Sequence, residues 1–457
     1  MFAKSMTDGA PWKLILIFAA PVLLGAFLQH LYTAIDQVVV GRFAGQDALA
    51  AVGTTVAFTF LFLSLALGFS AGNGVVVAQF FGAKNMDKVR SSAALGLILL
   101  AGCGLLMTAL GLAVAKPAFV YFIDTPPEIL DLALKYYRVY LLGIVFQFIF
   151  NSISSTLRAV GDSASTLYFL VFSSLLNIVL AVLFVAKFNW GVAGAAFATD
   201  ISQAASCVVA YFYMVKKYSF FRFRRADFRW DWDVFNRTFA IGSPIALQMA
   251  VISIGSSVIQ RAVNGFGSVM AASFAVGRQL ELFLNFPSHA LQTTLATFAG
   301  QNVGAKKIDR VKLGGRQTML ISFIFTFVIS VILWVFAEEI VGFFGLNEQA
   351  ANYCVRHVRG ITIINLVLSA YLPMFGLFQG TGHSGVPAFV AICALTLRCA
   401  SMYIFGHSPI LGYTIVWWNG IFGFGAGFII CWGYYLSGLW KRGLEKLDFG
   451  VGEKENA

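Results

Sequence analysis

Residues 75–90 read VVVAQFFGAKNMDKVR, and residues 296–311 read ATFAGQNVGAKKIDRV. The two segments are versions of one motif, because an offset of about 221 to 223 residues overlays polar and small residues at the same places. The matched pairs are Gln79 with Gln301, Gly82 with Gly304, Ala83 with Ala305 and Asp87 with Asp309. A motif that recurs at this distance indicates that the chain is a duplication of one structural plan.

A second pair of segments supports the duplication. LRAVGDSASTLYFLV (157–171) overlies LFQGTGHSGVPAFVA (377–391), with Gly161 on Gly382. The two halves contain the same number of hydrophobic segments in the same orientation, so the repeat is parallel. Parallel repeats are typical of carriers that work by alternating access. The duplication therefore favours transport over catalysis.

The composition identifies a membrane protein. Of 457 residues, 59% are hydrophobic and only 12% are charged, and the mean hydropathy is +0.79, well above that of soluble domains. The formal net charge of +11 is then expected in cytoplasmic loops rather than on a surface that binds nucleic acid.

Hydrophobic segments long enough to cross a bilayer recur along the whole chain. A helix needs about 20 apolar residues to cross the hydrocarbon core, and we count twelve such segments. They are 12–40, 48–80, 90–115, 132–157, 163–187, 191–215, 236–261, 268–298, 313–337, 352–379, 386–406 and 410–440. The predicted fold is an all-α polytopic membrane protein with twelve transmembrane helices in two pseudo-symmetric six-helix lobes.

The loops between these segments alternate in charge. The basic loops are 82–90, 216–237, 304–316 and the tail at 441–446, and the acidic loops are 124–131 and 337–349. Because basic loops stay in the cytoplasm, we expect both termini there, in a multi-pass protein of the cytoplasmic (inner) membrane. The predicted parts are an N-lobe at 1–215, a basic cytoplasmic linker at 216–235, a C-lobe at 236–440 and a cytoplasmic tail at 441–457.

One acidic residue interrupts the first span. Asp36 lies in QHLYTAIDQVVVGRF (29–43), where a charge costs about 2.5 to 3.5 kcal/mol on insertion scales. Its carboxylate can take up a proton or ligate Na⁺, and either event changes the charge in a medium of low dielectric constant. The alternative is an ion pair with Arg42 near the outer interface.

Several motifs together resemble a known transporter family. They are LYTAIDQVVVGRFAGQDALAAVG, the Q-x-x-GA ends of the second and eighth spans, and LRAVGDSASTLYFL with LLNIVL and WGVAGAAFATDISQ. Over nearly its whole length the chain is similar to prokaryotic multidrug and toxin extrusion (MATE) transporters, of the multidrug/oligosaccharidyl-lipid/polysaccharide exporter superfamily. The resemblance implies two six-helix lobes around a V-shaped cavity. It also implies export of organic cations or other amphipathic molecules against an inward flow of Na⁺ or H⁺.

The resemblance implies a cation site in the N-lobe. Asp36 matches the first-span aspartate of the family, and Asn151, Asn177 and Thr199 fall on its polar positions in the fourth to sixth spans. Where the family usually has an aspartate four residues after the fifth-span asparagine, this sequence has Ala181. One carboxylate is enough for H⁺ exchange, but it leaves fewer oxygen ligands for a Na⁺ ion at Asp36 and Asn177.

Asp200, which follows Thr199 in the sixth span, is a second intramembrane acid. We hypothesise that it replaces the missing carboxylate and shares the coupling function with Asp36. The alternative is a plain interhelical hydrogen bond, because a helix turns by about 100° per residue and points Asp200 away from the face of Thr199.

Polar residues of the C-lobe form a second group of candidates. Glu281 and Arg398 lie mid-span, where an unpaired charge is costly, so an ion pair between them is the favoured interpretation. Arg278 is an alternative partner for Glu281, and an Arg398 that faces the cavity would favour anionic or zwitterionic substrates. The seventh span has Gln248 but lacks the glutamate that some relatives carry, so ion coupling of that type is not expected in the C-lobe.

Other functions fit the sequence less well. The five histidines are scattered without a catalytic spacing, which argues against an enzyme. A flippase for a lipid-linked saccharide or another amphipathic lipid shares the twelve-span plan and is the main alternative, although such proteins tend to carry several cavity arginines or lysines. We predict a monomeric secondary active antiporter that exports small organic, cationic or amphipathic compounds, with H⁺ or Na⁺ as coupling ion and no other cofactor. Its expected partners are a small-molecule substrate and membrane lipids, and no nucleic acid.

Overall fold

The chain is helical throughout the part that the structure describes. The structure is a computed structural model, and it describes residues 5–123, 125–406, 408, 412–444, 447 and 449. Over these residues the α-helices are α1 (Pro11–Ala44), α2 (Gln46–Gly82), α3 (Met86–Pro117), α4 (Pro127–Ala159), α5 (Ser163–Ala181), α6 (Gly191–Lys217), α7 (Trp232–Asn264), α8 (Ser268–Gly304), α9 (Ile308–Val335), α10 (Ala337–Gly342), α11 (Glu348–Ser369), α12 (Leu372–Gly380), α13 (Gly385–Phe405) and α14 (Ile415–Leu436). Short π-helical segments continue α3 (Ala118–Phe122) and α5 (Val182–Lys187), and 3₁₀ turns occur at Ser219–Phe221, Arg225–Phe228, Gly412–Thr414 and Leu439–Lys441.

Eleven helical segments of the described chain are long and apolar enough to cross a membrane, and α11 with α12 makes one of them. The remaining predicted span, the eighth at 268–298, forms α8, which has 37 residues but is not among the eleven. It carries Arg278 and Glu281. The predicted fold class, an all-α polytopic membrane protein, is confirmed. Asp124 of the predicted acidic loop and most of the predicted tail 441–457 lie outside the described residues.

The backbone repeats in the same way as the sequence. Left-handed φ angles occur in matched pairs, at Gly45 (93°) and Gly267 (96°), Lys84 (60°) and Lys306 (58°), and Gly161 (89°) and Gly382 (86°). Each pair lies in a turn between two helices, where the chain must reverse direction. Glycine adopts such angles without a steric cost, whereas lysine does so only where the surrounding turn requires it. The two halves therefore share their turns as well as their motifs.

Among the described residues, the first compact unit comprises Ser5, Ala20–Ala246 and Phe449. Within it α4 packs against α2, α3 and α6, around a buried core of aromatic and aliphatic side chains. Gly74 on α2 allows a close approach of α4, so that the Ser155 hydroxyl donates a hydrogen bond to the Ser70 backbone oxygen over 2.6 Å. This packing makes α4 the central helix of the unit.

The second compact unit comprises Met6–Ala19 and Leu247–Asp448. Within it α8 packs against α9, α11 and α12, and α13 packs against α14. The repeated motif holds the N-terminal segment, since the backbone N–H of Met6 donates a hydrogen bond to Gln301 Oε1 over 2.7 Å. The motif that reveals the duplication thus also anchors the start of α1.

Helices α1 and α7 are each divided between the two units. The main segment of the first unit begins at Ala20 of α1 and ends at Ala246 of α7. Pro21 and Pro244 lie within two residues of these points. Proline removes one backbone hydrogen bond, so a helix interrupted by proline bends more easily there. The two points of division therefore lie at equivalent positions of the two halves, one in α1 and one in α7.

A hydrogen-bond network fixes the start of α5, the helix that carries Asn177. Asp162 accepts hydrogen bonds from the Ser165 backbone N–H over 3.2 Å, from Lys217 Nζ over 2.9 Å and from the Tyr218 hydroxyl over 2.8 Å. Burial alone would raise the pKa of Asp162, but these hydrogen bonds outweigh it and hold the pKa below its ordinary value. The ionised carboxylate therefore stabilises this corner.

We expect Asp162→Ala to lower the free energy of unfolding by about 2 to 3 kcal/mol, because it removes a helix cap and the carboxylate partner of Lys217. Asp162→Asn keeps an acceptor for the cap but not the charge. Since the folded pKa is lowered, the charge contributes fully above the ordinary pKa of aspartate, and this contribution is lost as the pH falls through the lowered value. Thermal unfolding in detergent should therefore show the parent and Asp162→Asn converging at acid pH. A difference that stays constant with pH would contradict this prediction.

Candidate functional site

Polar side chains from α1, α5 and α6 meet inside the first unit. Asn177 is buried, and its Nδ2 donates a hydrogen bond to Thr199 Oγ1 over 3.1 Å. Thr199 Oγ1 donates in turn to the backbone oxygen of Ala195 over 3.2 Å, and the Tyr32 hydroxyl interacts with the same threonine hydroxyl. The structure thus brings together two residues predicted for the N-lobe site. Asn177 Oδ1 is buried and has no hydrogen-bond partner among the described residues.

Asp36 lies beside this group on α1, one turn after Tyr32. Its Oδ1 is buried and accepts no hydrogen bond from any residue that the structure describes. Its charge acts on the hydroxyls of Tyr32 and Tyr136, so the carboxyl lies within electrostatic range of both. The ion-pair alternative is not supported, because no ion pair in the described chain involves Arg42. Asp36 is thus a partly buried carboxylate that pairs with no cationic side chain among the residues described.

Asp200 enters the same region from α6 and packs on a glycine. A Cβ atom added to Gly143 of α4 would overlap the Asp200 carboxyl and lie 2.6 Å from its Cβ, so glycine makes room for the acid. The carboxylate also interacts with the Gly143 backbone N–H, and its charge acts on the hydroxyls of Tyr136 and Tyr140. Asp200 therefore faces α4.

Tyrosine hydroxyls lie near both acids. Tyr32 and Tyr136 each lie within electrostatic range of Asp36 and of Asp200, although no hydrogen bond between described residues joins the two carboxyls. A tyrosine hydroxyl can donate one hydrogen bond and accept another, so the arrangement can hold a proton at either acid. We call these five residues the acid cluster: Tyr32, Asp36, Tyr136, Tyr140 and Asp200.

Asn151 and Ala181 contribute no polar group to this meeting point of α1, α5 and α6. Asn151 Nδ2 donates to the backbone oxygen of Gln147, four residues earlier on α4, over 2.8 Å, so its amide group bonds to its own helix. Ala181 packs in an apolar cluster with Val39 and Ala198. The place where the family usually has a second carboxylate is thus surrounded by aliphatic side chains.

The tyrosines of the acid cluster are not among the residues that the sequence singles out. Tyr136 and Tyr140 lie one turn apart on α4, with ring centroids 6.2 Å apart, and the Tyr140 hydroxyl donates to Gln147 Oε1 over 2.8 Å. With Gly143 they form a stripe on one face of the helix. This helical spacing is the one feature of the sequence that could have pointed to the two tyrosines. It is a weak signal in a chain with 15% aromatic residues.

Gln248 of the second unit has a structural contact. It is buried, and its Oε1 accepts a hydrogen bond from Gln379 Nε2 over 3.5 Å. The contact joins α7 to α12. Gln248 is therefore occupied in helix packing.

Glu281 and Arg398 line one cleft of the second unit, but the ion pair predicted between them is not formed, and that prediction is wrong. No ion pair among the described residues includes either side chain. Arg398 Nε donates instead to Asn419 Oδ1 over 2.9 Å, and its guanidinium carbon lies 4.9 Å from the Phe424 ring centroid. Arg398 therefore points towards α14, while Glu281 projects from α8. Arg278 forms no ion pair with Glu281 in the described chain and does not line the cleft.

Comparisons with known proteins agree with this architecture. The sequence model of the family described as MatE matches residues 21–183 and 244–404, one match in each half. The chain is 28% identical to the probable multidrug resistance protein YpnP of Bacillus subtilis, over 96% of this chain and 98% of the relative. It is 26% identical to the probable multidrug resistance protein YoeA of the same organism, over 94% of each.

A solved structure gives the same result for the fold. It is described as the outward-facing conformation of a multidrug resistance MATE family transporter of the MOP superfamily, and it superposes with a TM-score of 0.90. The match covers 97% of this chain and 100% of the other, at 23% identity. The family match over both halves decides the assignment, and it excludes an enzyme. The chain belongs to the MATE family of membrane transporters.

Proposed function

We propose that the protein is a secondary active antiporter that exports small organic cations or other amphipathic compounds by alternating access, in exchange for H⁺ bound at Asp36. The observation that carries this proposal is Asp36 Oδ1, a buried carboxylate oxygen without a hydrogen-bond partner among the described residues. Asn177 is linked to the acid cluster through Thr199 and Tyr32, and its Oδ1 is a second acceptor without a partner in the described part of the chain. Protonation neutralises the Asp36 carboxylate, so that the buried oxygen no longer carries a charge without a hydrogen-bond donor or a cation beside it.

Na⁺ is the competing coupling ion. It would bind at Asp36 and Asn177, whose oxygens suit a hard cation. The aliphatic surroundings of Ala181 leave the first unit with one acid fewer at this place than the family usually has, which favours H⁺. We assign to Asn177 and Thr199 the role of joining α5 to α6 beside the acid. Asn151 has a supporting role on α4.

Protonation would drive transport by changing the charge of the acid cluster. A neutral carboxyl costs much less to bury in a membrane protein than an ionised one. The helices around Asp36 can therefore repack when the proton binds, and substrate affinity falls in the repacked state. Reciprocal linkage then requires that substrate binding weaken proton binding by the same factor.

The proposal also includes the cellular location of the chain, the boundaries of its lobes and its oligomeric state. The basic loops support a protein of the cytoplasmic membrane with both termini inside, an N-lobe at 1–215, a linker at 216–235, a C-lobe at 236–440 and a tail at 441–457. The names of the Bacillus relatives support drug-like substrates. We expect a monomer that needs no cofactor besides its coupling ion.

Efflux of ethidium, a fluorescent organic cation, from proteoliposomes tests the proposal. With a pH gradient in Na⁺-free buffer, we expect efflux faster than leakage from protein-free liposomes. With a Na⁺ gradient at constant pH, we expect no acceleration. Efflux driven by Na⁺ alone would reassign the coupling ion, and efflux under neither gradient would contradict the antiporter proposal for organic cations.

Asp200 is expected to share the coupling with Asp36. Asp200→Asn should slow pH-driven efflux by about tenfold, equivalent to about 1.4 kcal/mol, since asparagine keeps the shape but cannot bind the proton. Gly143→Ala, which displaces the Asp200 carboxyl by steric overlap, should slow efflux in the same way. Gly102→Ala on α3, where an added Cβ meets no atom within 4 Å, is the matched control. Parent-like efflux from Asp200→Asn would reduce Asp200 to a hydrogen-bonding group.

A further inference from the structure

Three basic side chains line a groove at one end of α3 and α4 in the first unit. Lys116 comes from the last turn of α3, and Lys135 and Arg138 come from the first half of α4. Asp131 is the one acid among the described residues that line the groove, whose free space is about 420 Å³. At about 30 Å³ for each water molecule, this space is large enough for a phosphate group with a small polar substituent.

Helix lengths place the groove at the level of lipid headgroups. Arg90 and Lys116 of α3 are separated by uncharged residues alone, and they lie about 39 Å apart along the helix. Arg138 and Arg158 of α4 are separated in the same way, by about 30 Å. The hydrocarbon core of a bilayer is about 30 Å thick, and about 40 to 45 Å thick with its headgroups. The basic residues of the groove therefore lie in the headgroup region opposite the end that carries Arg90 and Arg158.

The charges of the groove are not paired within the described chain. All four charged side chains are exposed, and no ion pair between described residues includes any of them. Three basic groups and one acid leave the groove with a net charge of +2. Basic residues of membrane proteins concentrate on the cytoplasmic side, and this groove lies on the other side in the orientation proposed above. Its complement is a molecule with net negative charge.

Apolar side chains continue the exposed faces of both helices towards the membrane centre. On α3, Lys116 shares its face with Leu112 and Leu105, which are 38% and 61% exposed. On α4, Arg138 is followed one turn later by Leu142, which is 56% exposed. Residues four, seven and eleven positions apart lie on one face of a helix. Because α3 packs against α4, the two faces together are charged at the headgroup level and apolar below it, as a phospholipid is.

We propose that this groove binds a phospholipid with an anionic, hydroxylated headgroup, for which phosphatidylglycerol is the test lipid. Its phosphodiester oxygens accept hydrogen bonds from Lys116, Lys135 and Arg138. A headgroup hydroxyl donates to Asp131, and the acyl chains cover the exposed leucines. Basic pockets between transmembrane helices bind anionic headgroups in this way. The assignment to the outer leaflet rests on the proposed orientation, whereas the site itself goes beyond the proposed function.

Native mass spectrometry of the full chain, purified in detergent and titrated with defined lipids, tests the proposal. The first comparison is phosphatidylglycerol with phosphatidylcholine of the same acyl chains. We expect one site that binds phosphatidylglycerol about tenfold more tightly. Lys135→Gln and Arg138→Gln should each weaken phosphatidylglycerol about fivefold and leave phosphatidylcholine unchanged. Thermal unfolding without added lipid should match the parent, because neither substitution breaks an ion pair of the described chain.

The role of Asp131 has its own comparison. Phosphatidylmethanol has the phosphodiester and the charge of phosphatidylglycerol, but its headgroup has no hydroxyl. The parent should bind it about fivefold less tightly than phosphatidylglycerol, in keeping with one lost hydrogen bond. Asp131→Ala should bind the two lipids equally. Equal binding of both by the parent would overturn the assignment of a hydroxylated headgroup.

Lys187→Gln is the matched control for the charge. Lys187 is an exposed base in the π-helical segment that continues α5, at the same end of the first unit, and it does not line the groove. The control should bind phosphatidylglycerol like the parent, and an equal loss of affinity in Lys187→Gln would overturn the proposal in favour of unspecific charge attraction. Parent-like binding by Lys135→Gln/Arg138→Gln would also overturn it.

Inorganic phosphate distinguishes a lipid site from a site for a soluble anion. Bound phosphatidylglycerol should remain when inorganic phosphate is added in large excess, because phosphate has no acyl chains to cover the leucines of α3 and α4. Displacement by phosphate would overturn the lipid assignment. These measurements use neither an ion gradient nor a transported substrate, so their failure is distinct from failure of the proposed function.

Discussion

Replacing Asp36 by asparagine should reduce pH-driven efflux to the rate of protein-free liposomes while the protein stays folded. Asparagine has the same size as aspartate, but it is neutral and cannot take up a proton. Because Oδ1 of Asp36 has no hydrogen-bond partner in the described chain, the substitution breaks no hydrogen bond of that atom. It also removes the cost of burying a charge in the membrane, about 2.5 to 3.5 kcal/mol on insertion scales. We therefore expect the variant to be at least as stable as the parent and inactive.

The measurement is ethidium efflux under separately imposed pH and Na⁺ gradients, together with thermal unfolding of the same preparations. Asp47→Asn, the same change at an exposed position in the first turn of α2, is the control and should transport like the parent. If Asp36→Asn is inactive and also unfolded, the role of Asp36 is structural. Normal efflux of Asp36→Asn would remove it from the coupling mechanism and leave Asp200 as the remaining acid of the cluster.

The fold was accessible from the sequence because its determinants are local or repeated. Helix lengths follow from runs of apolar residues, and the matched turns at Gly161 and Gly382 follow from motifs that recur at one offset. The division of α1 after Ala19 and of α7 after Ala246 between the two units is not a local property of the sequence. It depends on tertiary packing between segments far apart in the chain, which the apolar pattern does not encode.

The site was predictable only in part, for a geometric reason. Asp36, Asn177 and Thr199 stand out as polar residues in apolar helices, and a hydrogen bond joins the last two. Whether Glu281 meets Arg398 depends on the rotation of two helices about their axes, and a few tens of degrees decide it. Arg398 turned towards Asn419 instead. The sequence predicts how deep in the membrane such residues lie, but it does not predict towards which neighbouring helix their side chains point.

Gly376→Ala is expected to destabilise the second unit more than any surface change. Gly376 and Gly380 lie one turn apart on α12 and face α8. A Cβ atom on Gly376 would overlap the backbone oxygen of Gln292 and lie 2.9 Å from its backbone carbon, and one on Gly380 would lie 2.6 Å from the backbone oxygen of Ala296. Small residues at this spacing let membrane helices touch through their backbones.

Because the overlapping atoms belong to the backbone of α8, no side chain can rotate away to relieve the clash. The two helices must separate, and overpacking of this kind costs about 1 to 3 kcal/mol. Thermal unfolding in detergent should show a clearly lower midpoint for Gly376→Ala than for the parent. Gly425→Ala is the matched control, since Gly425 is also in the interior of a helix of the second unit and an added Cβ there meets no atom within 4 Å. Equal midpoints for the two variants would mean that α12 and α8 are not in backbone contact at Gly376.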